Sequence, residues 1–92
     1  MENTPIKLPA RFDFGFHSTF SERSNKSLEK GDGTIVLDFS EVTYLDSSAL
    51  GMVIMLHKKC HNAGKKVKII NAHGTADDLL RLANIDKLVA ID

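Results

Sequence analysis

The chain has 92 residues, enough for one hydrophobic core and too few for two, so we expect a single domain over residues 1–92. Twelve basic and twelve acidic residues give a formal net charge of zero, which argues against nucleic-acid binding, since such proteins usually carry a basic excess. The single cysteine, Cys60, excludes an intramolecular disulfide and fits a reducing compartment.

Predicted strands and helices alternate along the whole chain. β-Branched and apolar runs indicate the strands, and apolar residues at helical spacing indicate the helices. The predicted elements, in chain order, are an edge strand or two strand pieces at 6–14, a helix at 20–30, a turn at 31–33, a strand at 34–39, a connection at 40–45, a helix at 47–63, a strand at 67–70, a helix beginning at Thr75 and a final strand at 88–91. This alternation predicts an α/β fold in which helices pack against a mixed β-sheet containing parallel pairings.

Capping signals set the expected boundaries of two of these helices. Thr19 and Glu22 have capping-box spacing before the first helix, and Thr75 and Asp78 form a near capping box before the last one. Gly31 suits the position just after a helix end, where the backbone often adopts a positive φ. We therefore expect side-chain caps at both helix starts and a glycine stop after the first helix.

The residues that join the connection to the second helix are the most informative in the sequence. Asp46, Ser47 and Ser48 are all good helix N-caps, because their oxygens accept hydrogen bonds from the unpaired N–H groups of a first turn. A capped helix start is therefore the ordinary interpretation. A serine there also lies where free N–H groups and the helix dipole favour a phosphate. The small residues Ala49 and Gly51 are expected to leave the backbone open to a kinase or partner.

The segment 37–53, LDFSEVTYLDSSALGMV, resembles the signature of STAS domains of the anti-sigma factor antagonist class. In that signature a strand and a short loop precede an Asp-Ser-Ser/Thr-Gly/Ala-Leu-Gly helix start. The resemblance continues through AGKKVKIIN at 63–71 and LLRLANIDKLVAI at 79–91, and more loosely through LPARFDF at 8–14. It covers nearly the whole chain and implies a single STAS-type domain, with Ala49 where glycine is common.

In antagonists of this class the serine directly after the aspartate accepts the phosphate, so the resemblance implies that Ser47 is the phosphorylation site. The unphosphorylated protein is expected to bind an anti-sigma factor that is also a serine-protein kinase, and a PP2C-type phosphatase is expected to reverse the modification. No catalytic residue, cofactor or metal is implied, and the protein is expected to be a monomer or a weak dimer. The residues expected at the partner-binding surface around Ser47 are Asp46, Ser48, Ala49, Gly51 and Met52.

The resemblance leaves a second role open, that of a non-catalytic STAS subunit in a transport or signalling assembly. The Asp-Ser-Ser sequence favours the phosphorylated switch. The N-terminal segment lacks the basic region and apolar run of a signal peptide, and the longest apolar stretch, residues 49–56, is far shorter than a membrane span. We therefore expect a cytoplasmic protein without membrane contact.

The sequence also offers two other candidate sites, a metal site and a catalytic serine. His57, Cys60 and His61 have the spacing of one helix face, with His73 as a conceivable fourth ligand, and would form the best available metal site. The simpler interpretation places Cys60 in the core as a reduced thiol and the histidines in solvent. Ser47 as a catalytic nucleophile is disfavoured, because the sequence has no Gly-x-Ser-x-Gly elbow and does not place a histidine–aspartate pair to activate it.

The apolar residues of the second helix cannot all lie on one buried face. Val53 and Leu56 are expected inside the protein. Met52 or Met55 is expected to be partly exposed near the helix start, where a flexible thioether side chain suits a binding surface.

Overall fold

Strands and helices alternate in the structure, a computed structural model that describes residues 5–31 and 33–92. The strands are β1 (Ile6–Lys7), β2 (Arg11–Phe12), β3 (Thr34–Asp38), β4 (Tyr44–Leu45), β5 (Lys66–Ile70) and β6 (Ala90–Ile91). The helices are α1 (His17–Glu29), α2 (Ser47–Asn62) and α3 (Gly74–Leu82), with 3-10 turns at Phe14–Phe16 and Ile85–Lys87. This order confirms the predicted α/β fold class. Within the described ranges, no helix has the length and apolar character needed to cross a bilayer.

The main sheet has the strand order β1-β3-β5-β6, and β2 pairs separately with β4. The central pair, β3 and β5, runs in register from Thr34 opposite Lys66 to Asp38 opposite Ile70. Where the sequence predicted a mixed sheet, every pairing in the described part of the chain is parallel. The reason lies in the connections, because at least one helix lies between the two strands of every pair and returns the chain to the same end of the sheet.

One hydrophobic core lies between the sheet and the helices. Leu37 and Ile69 on the central strands are fully buried, as is Phe39 just after β3. The ring of Phe12 stacks on that of Phe20 at a centroid distance of 5.7 Å and meets Phe39 edge-on at 6.0 Å. This aromatic cluster fixes the start of α1 against the end of β3. Truncating such a ring to alanine typically costs about 3–5 kcal/mol of folding stability.

The start of α1 differs from the prediction. Asp13 caps the 3-10 turn at Phe14–Phe16, and α1 continues directly from this turn with Phe16 as its N-cap residue. Thr19 and Glu22 therefore lie inside the helix, and the predicted capping box is wrong. At the other end Gly31 has the expected positive φ, 79°, while Asp32 of the predicted turn at 31–33 lies outside the described residues.

The boundaries of α3, of the connection at 40–45 and of the final strand also differ from the prediction. α3 begins at Gly74 with a φ of 56°, and its N-cap residue, His73, makes no side-chain cap hydrogen bond, so the near capping box at Thr75 is wrong. The predicted connection at 40–45 ends in the short strand β4. The final strand is shorter than the predicted 88–91, because a 3-10 turn precedes it and only β6 pairs with β5.

Candidate partner-binding and modification site

α2 begins directly after β4, and Asp46 caps its first turn. Asp46 has an extended backbone, and its Oδ1 accepts a hydrogen bond from the Ala49 N–H at 3.0 Å. Ser47 and Ser48 are the first two residues of the helix, and both are exposed. Because the aspartate fills the capping role, the two hydroxyls lie open to solvent beside the positive end of the helix dipole.

A second capped turn begins beside α2, because β2 and β4 run parallel. Their register pairs Phe12 with Leu45, so Asp13 and Asp46 follow neighbouring strand ends. Asp13 Oδ1 accepts a hydrogen bond from the Gly15 N–H at 2.9 Å and so holds the turn that leads into α1. Two carboxylates therefore lie at the edge from which both helices start.

Arg11 is a cation at the same edge. Its Nε donates to Asp13 Oδ2 at 2.8 Å, and its guanidinium carbon lies 4.5 Å from the centroid of the Tyr44 ring. The hydrogen bond from Arg11 and, to a smaller extent, the one from the Gly15 N–H hold the pKa of Asp13 below its ordinary value. The same pairing raises the pKa of Arg11, with a smaller contribution from Asp46. The arginine is thus already engaged by the carboxylates of this edge.

An open groove with a volume of ≈ 360 Å³ runs between α1 and α2 from this edge. We call it the α1–α2 groove. Its α2 side consists of Ser48, Gly51, Met52, Met55, Leu56 and Lys59. Its other side consists of Phe14, His17, Phe20, Ser21 and Ser24. Two large apolar side chains on its rim stand out in solvent, since Phe14 is 67% exposed and Met55 is 58% exposed.

The residues predicted around Ser47 do not all face solvent. Ala49 is fully buried and Met52 is only 6% exposed. The expectation that Ala49 leaves the backbone open is wrong, because this residue packs into the core. Gly51 is half-buried, with open space where a Cβ would lie. Of the predicted set, Ser48, Gly51 and Met52 line the α1–α2 groove, whereas Ser47 stands outside it.

The apolar residues of α2 divide as the sequence predicted. Val53 and Leu56 are buried, at 1% and 2% exposure. Of the two candidate methionines it is Met55 that is exposed, while Met52 lies on the groove floor. Helical periodicity alone did not show which methionine is exposed, because both lie next to the buried stripe formed by Val53 and Leu56.

The histidines and the cysteine at the end of α2 do not converge. Cys60 is a free thiol that is fully buried, as predicted, and burial raises its pKa. The rings of His57 and His61 lie 6.0 Å apart on the outer side of the helix. Across residues 5–31 and 33–92 there is no group of three or more His, Cys, Asp or Glu side chains arranged to hold a metal ion.

Hydrogen bonds also join the loops after β3 and β5, which the sequence analysis did not predict. Asp38 Oδ1 accepts from the Ser40 N–H at 2.9 Å and from Asn71 Nδ2 at 3.1 Å, and His73 Nε2 lies 3.0 Å from the Ser40 carbonyl oxygen. Partial burial alone would raise the pKa of Asp38, but the hydrogen bonds hold it below its ordinary value. Only the register that sets Asp38 opposite Ile70 brings these distant residues together.

The sequence matches known proteins over almost its whole length. A family model described as "Mlab, STAS domain" matches residues 2–90. A STAS-domain containing protein of Pseudomonas aeruginosa (strain UCBPP-PA14) is 30% identical over 86 residues, which are 94% of this chain and 84% of the relative.

Solved structures share the fold. The crystal structure of a proposed anti-sigma factor antagonist from Thermotoga maritima has a TM-score of 0.79 at 25% identity, covering 96% of this chain and 74% of that one. The Bacillus cell fate determinant SpoIIAA in its phosphorylated form has a TM-score of 0.73 at 16% identity, covering 99% of this chain and 83% of the other. At that identity the likeness to SpoIIAA is one of fold.

Proposed function

The chain belongs to the STAS domain family, and we propose that it is an anti-sigma factor antagonist that acts by partner switching. Unphosphorylated, it binds an anti-sigma factor that is also its serine-protein kinase, and a sigma factor is thereby released. Phosphorylation of Ser47 breaks this complex, and a PP2C-type phosphatase restores the binding form. In this role the chain acts in the cytoplasm, without catalysis or a cofactor of its own.

The exposed hydroxyl of Ser47 at the start of α2 is the observation that carries the proposal. Asp46 already caps the helix, so the serine is not needed for that purpose. Beyond this cap, the first turn of α2 holds no acidic residue. The N–H groups that Asp46 leaves unpaired and the helix dipole favour an added phosphate by about 0.3–1 kcal/mol, which offsets repulsion from the Asp46 carboxylate, and the helix is expected to persist when Ser47 is modified.

A partner lying over Ser47 would be far more sensitive to the phosphate than the fold is. Phosphorylation adds nearly two negative charges beside the carboxylates of Asp46 and Asp13. Arg11 offsets them only in part, because Asp13 already holds its guanidinium. Closing a partner surface over this charge removes water from it, and any carboxylate that the partner brings adds repulsion. Phosphorylation is therefore expected to act on binding and not on folding.

Ser48 has a different place from Ser47. Successive residues of an α-helix point about 100° apart, and Ser48 lines the α1–α2 groove whereas Ser47 does not. We expect the two adjacent hydroxyls to act separately, with Ser47 as the phosphate acceptor and Ser48 as part of the contact surface.

The similar proteins support the same role. The Thermotoga maritima neighbour is proposed to be an anti-sigma factor antagonist, and SpoIIAA has been solved carrying a phosphate. A STAS domain that served only as a subunit of a transport or signalling assembly would have different partners and would not need to release them on phosphorylation.

The test is to isolate the protein with its partners from its own cells, using a Ser47→Ala form as bait so that the complex cannot be phosphorylated away. The expected partner is a kinase of the histidine-kinase-like fold that binds the purified chain directly. With ATP that kinase should phosphorylate the wild-type protein and release it, but should stay bound to Ser47→Ala. Recovery of transport subunits alone, or a complex that survives full phosphorylation, would contradict the proposal.

A further inference from the structure

The α1–α2 groove has the dimensions of a docking site for a helix. From Ser48 to Lys59 the α2 wall rises about 16 Å at 1.5 Å per residue, which is roughly three helical turns. Gly51 lies midway along this wall, and a Cβ there would have no atom within 4 Å, so the groove is open at its centre. Phe14 and Met55 stand on its rim and are more than half exposed. A second helix laid along this groove would cover both side chains.

The polar groups in the groove floor already have hydrogen-bond partners within the protein. The Ser24 hydroxyl is buried, but it donates to the Phe20 carbonyl oxygen at 2.8 Å within α1. Within the described ranges, no buried side-chain nitrogen or oxygen is left without a hydrogen-bond partner. The floor can therefore be covered by apolar side chains without leaving a polar group unpaired. This favours the apolar face of an amphipathic helix over a polar ligand.

Charge distinguishes the two ends of the α1–α2 groove. Among the described residues, the ionisable side chains that line it are His17 and Lys59, and neither is a carboxylate. Lys59 is exposed at the end opposite Ser48, and it belongs to none of the ion pairs in the described part of the chain. An occupant with an acidic residue near Lys59 would complement this end.

We propose that the α1–α2 groove binds an amphipathic helix of the anti-sigma partner, with its apolar face on Phe14 and Met55 and an acidic residue against Lys59. This inference rests on the proposed function, because it names the surface that this same partner uses. Ser48 at the other end of the groove is adjacent to Ser47. A phosphate on Ser47 therefore lies beside the end of the bound helix, which links the modification to release.

The test measures how tightly the purified anti-sigma partner binds two groove variants, each paired with a matched control. Met55→Glu puts a charge on the groove rim, and Leu82→Glu puts the same charge on a 77% exposed side chain of α3. Lys59→Glu reverses the charge at the groove end, and Lys58→Glu does so on the adjacent exposed lysine outside the groove. Since all four side chains are exposed, the melting temperatures should stay close to that of the wild type.

We expect Met55→Glu to weaken binding by about tenfold or more and Lys59→Glu by about three- to tenfold. The controls should stay within roughly twofold of the wild type. A glutamate-to-lysine or aspartate-to-lysine change in the partner helix should restore binding to Lys59→Glu. If both groove variants bind as tightly as their controls while Ser47→Asp still weakens binding, the groove inference fails and the switch stands. If Ser47→Asp also binds as tightly as the wild type, the proposed function itself fails.

Cross-linking identifies the occupant directly. A benzophenone attached to Met55→Cys is selective, because the native thiol of Cys60 is buried. The expected product joins Met55→Cys to a partner segment that has apolar residues at helical spacing and an aspartate or glutamate. A cross-link to a second copy of this chain, or to a partner segment that is extended and has no acidic residue, would overturn the proposal.

Discussion

The starts of α2 and α3 form a natural comparison, because each helix follows a parallel strand and each has a hydroxyl in its first two residues. At α2 the side chain of Asp46 caps the first turn, and Ser47 is exposed beside it. At α3 the N-cap residue, His73, makes no cap hydrogen bond, and Thr75 is exposed. Similar sequence features thus precede two different local structures.

The two helix starts differ in where their acidic side chain lies and in the surface beside them. The first turn of α3 contains Asp77, whose Oδ1 accepts from Arg81 Nε at 3.1 Å. Each helix start therefore already has one carboxylate that complements its dipole, Asp46 at the N-cap of α2 and Asp77 in the first turn of α3. The helix dipole does not separate the two positions, but Ser47 adjoins the α1–α2 groove through Ser48, whereas Thr75 does not line it. A serine or threonine at a helix start is therefore a candidate switch only when it also adjoins a surface on which a partner can bind.

The largest expected effect is a difference in partner affinity between charge substitutions at the starts of α2 and α3. Ser47→Asp should weaken binding of the anti-sigma partner by tenfold or more, about 1.4 kcal/mol, because the added charge lies where the partner closes. Thr75→Asp adds the same charge to α3 and should change the affinity less than roughly twofold. Both melting temperatures should stay near that of the wild type. Equal losses of affinity in titration calorimetry would show that the two helix starts are equivalent.

Substituting the N-cap residue of each helix tests the same comparison through the free energy of unfolding. Asp46→Ala deletes the hydrogen bond to the Ala49 N–H and should lower the free energy of unfolding by about 1 kcal/mol. His73→Ala removes no cap and only an exposed contact with the Ser40 carbonyl, so its cost should stay within about 0.5 kcal/mol. Urea denaturation measures both. A greater loss for His73→Ala would mean that α3 depends on its N-cap residue more than α2 does.

The smallest effect concerns the loop cluster that precedes α3. The folded-state pKa of Asp38 lies below its ordinary value of 3.8, so its contribution to stability is present above that pH and is lost as the pH falls through the lower folded value. Asp38→Asn should therefore flatten the decline in unfolding free energy between roughly pH 5 and pH 2. Since the cluster is largely open to water, the change should be small. An unchanged pH profile for Asp38→Asn would show that Asp38 does not contribute.

How much the sequence predicted also differs between these regions. The segment around Ser47 was predictable, since a dense local pattern places a strand, an aspartate and a helix start within a few residues. The parallel pair β2–β4 was not, because each strand has only two residues and a local hydropathy pattern needs more. That pair sets Asp13 and Asp46 after neighbouring strand ends, at the edge where the α1–α2 groove begins. Because the sequence did not reveal this strand pair, the α1–α2 groove was not predicted either.

Burial was predicted best where periodicity is unambiguous. Val53 and Leu56 lie on the buried stripe of α2 and were placed correctly. Ala49 was misplaced, because a small residue near a helix start suits an open surface and a tightly packed core equally well. Only the packing of α2 against the rest of the protein shows that Ala49 lies in the core with no exposed surface.

The central claim is that Ser47 is the residue whose phosphorylation switches partner binding. Its most direct test is tandem mass spectrometry of the protein after phosphorylation by the partner kinase, with Ser47→Ala and Ser48→Ala as paired variants. We expect the phosphate to map to Ser47, to disappear in Ser47→Ala and to persist in Ser48→Ala. A phosphate on Ser48, or one that Ser47→Ala still carries, would contradict it.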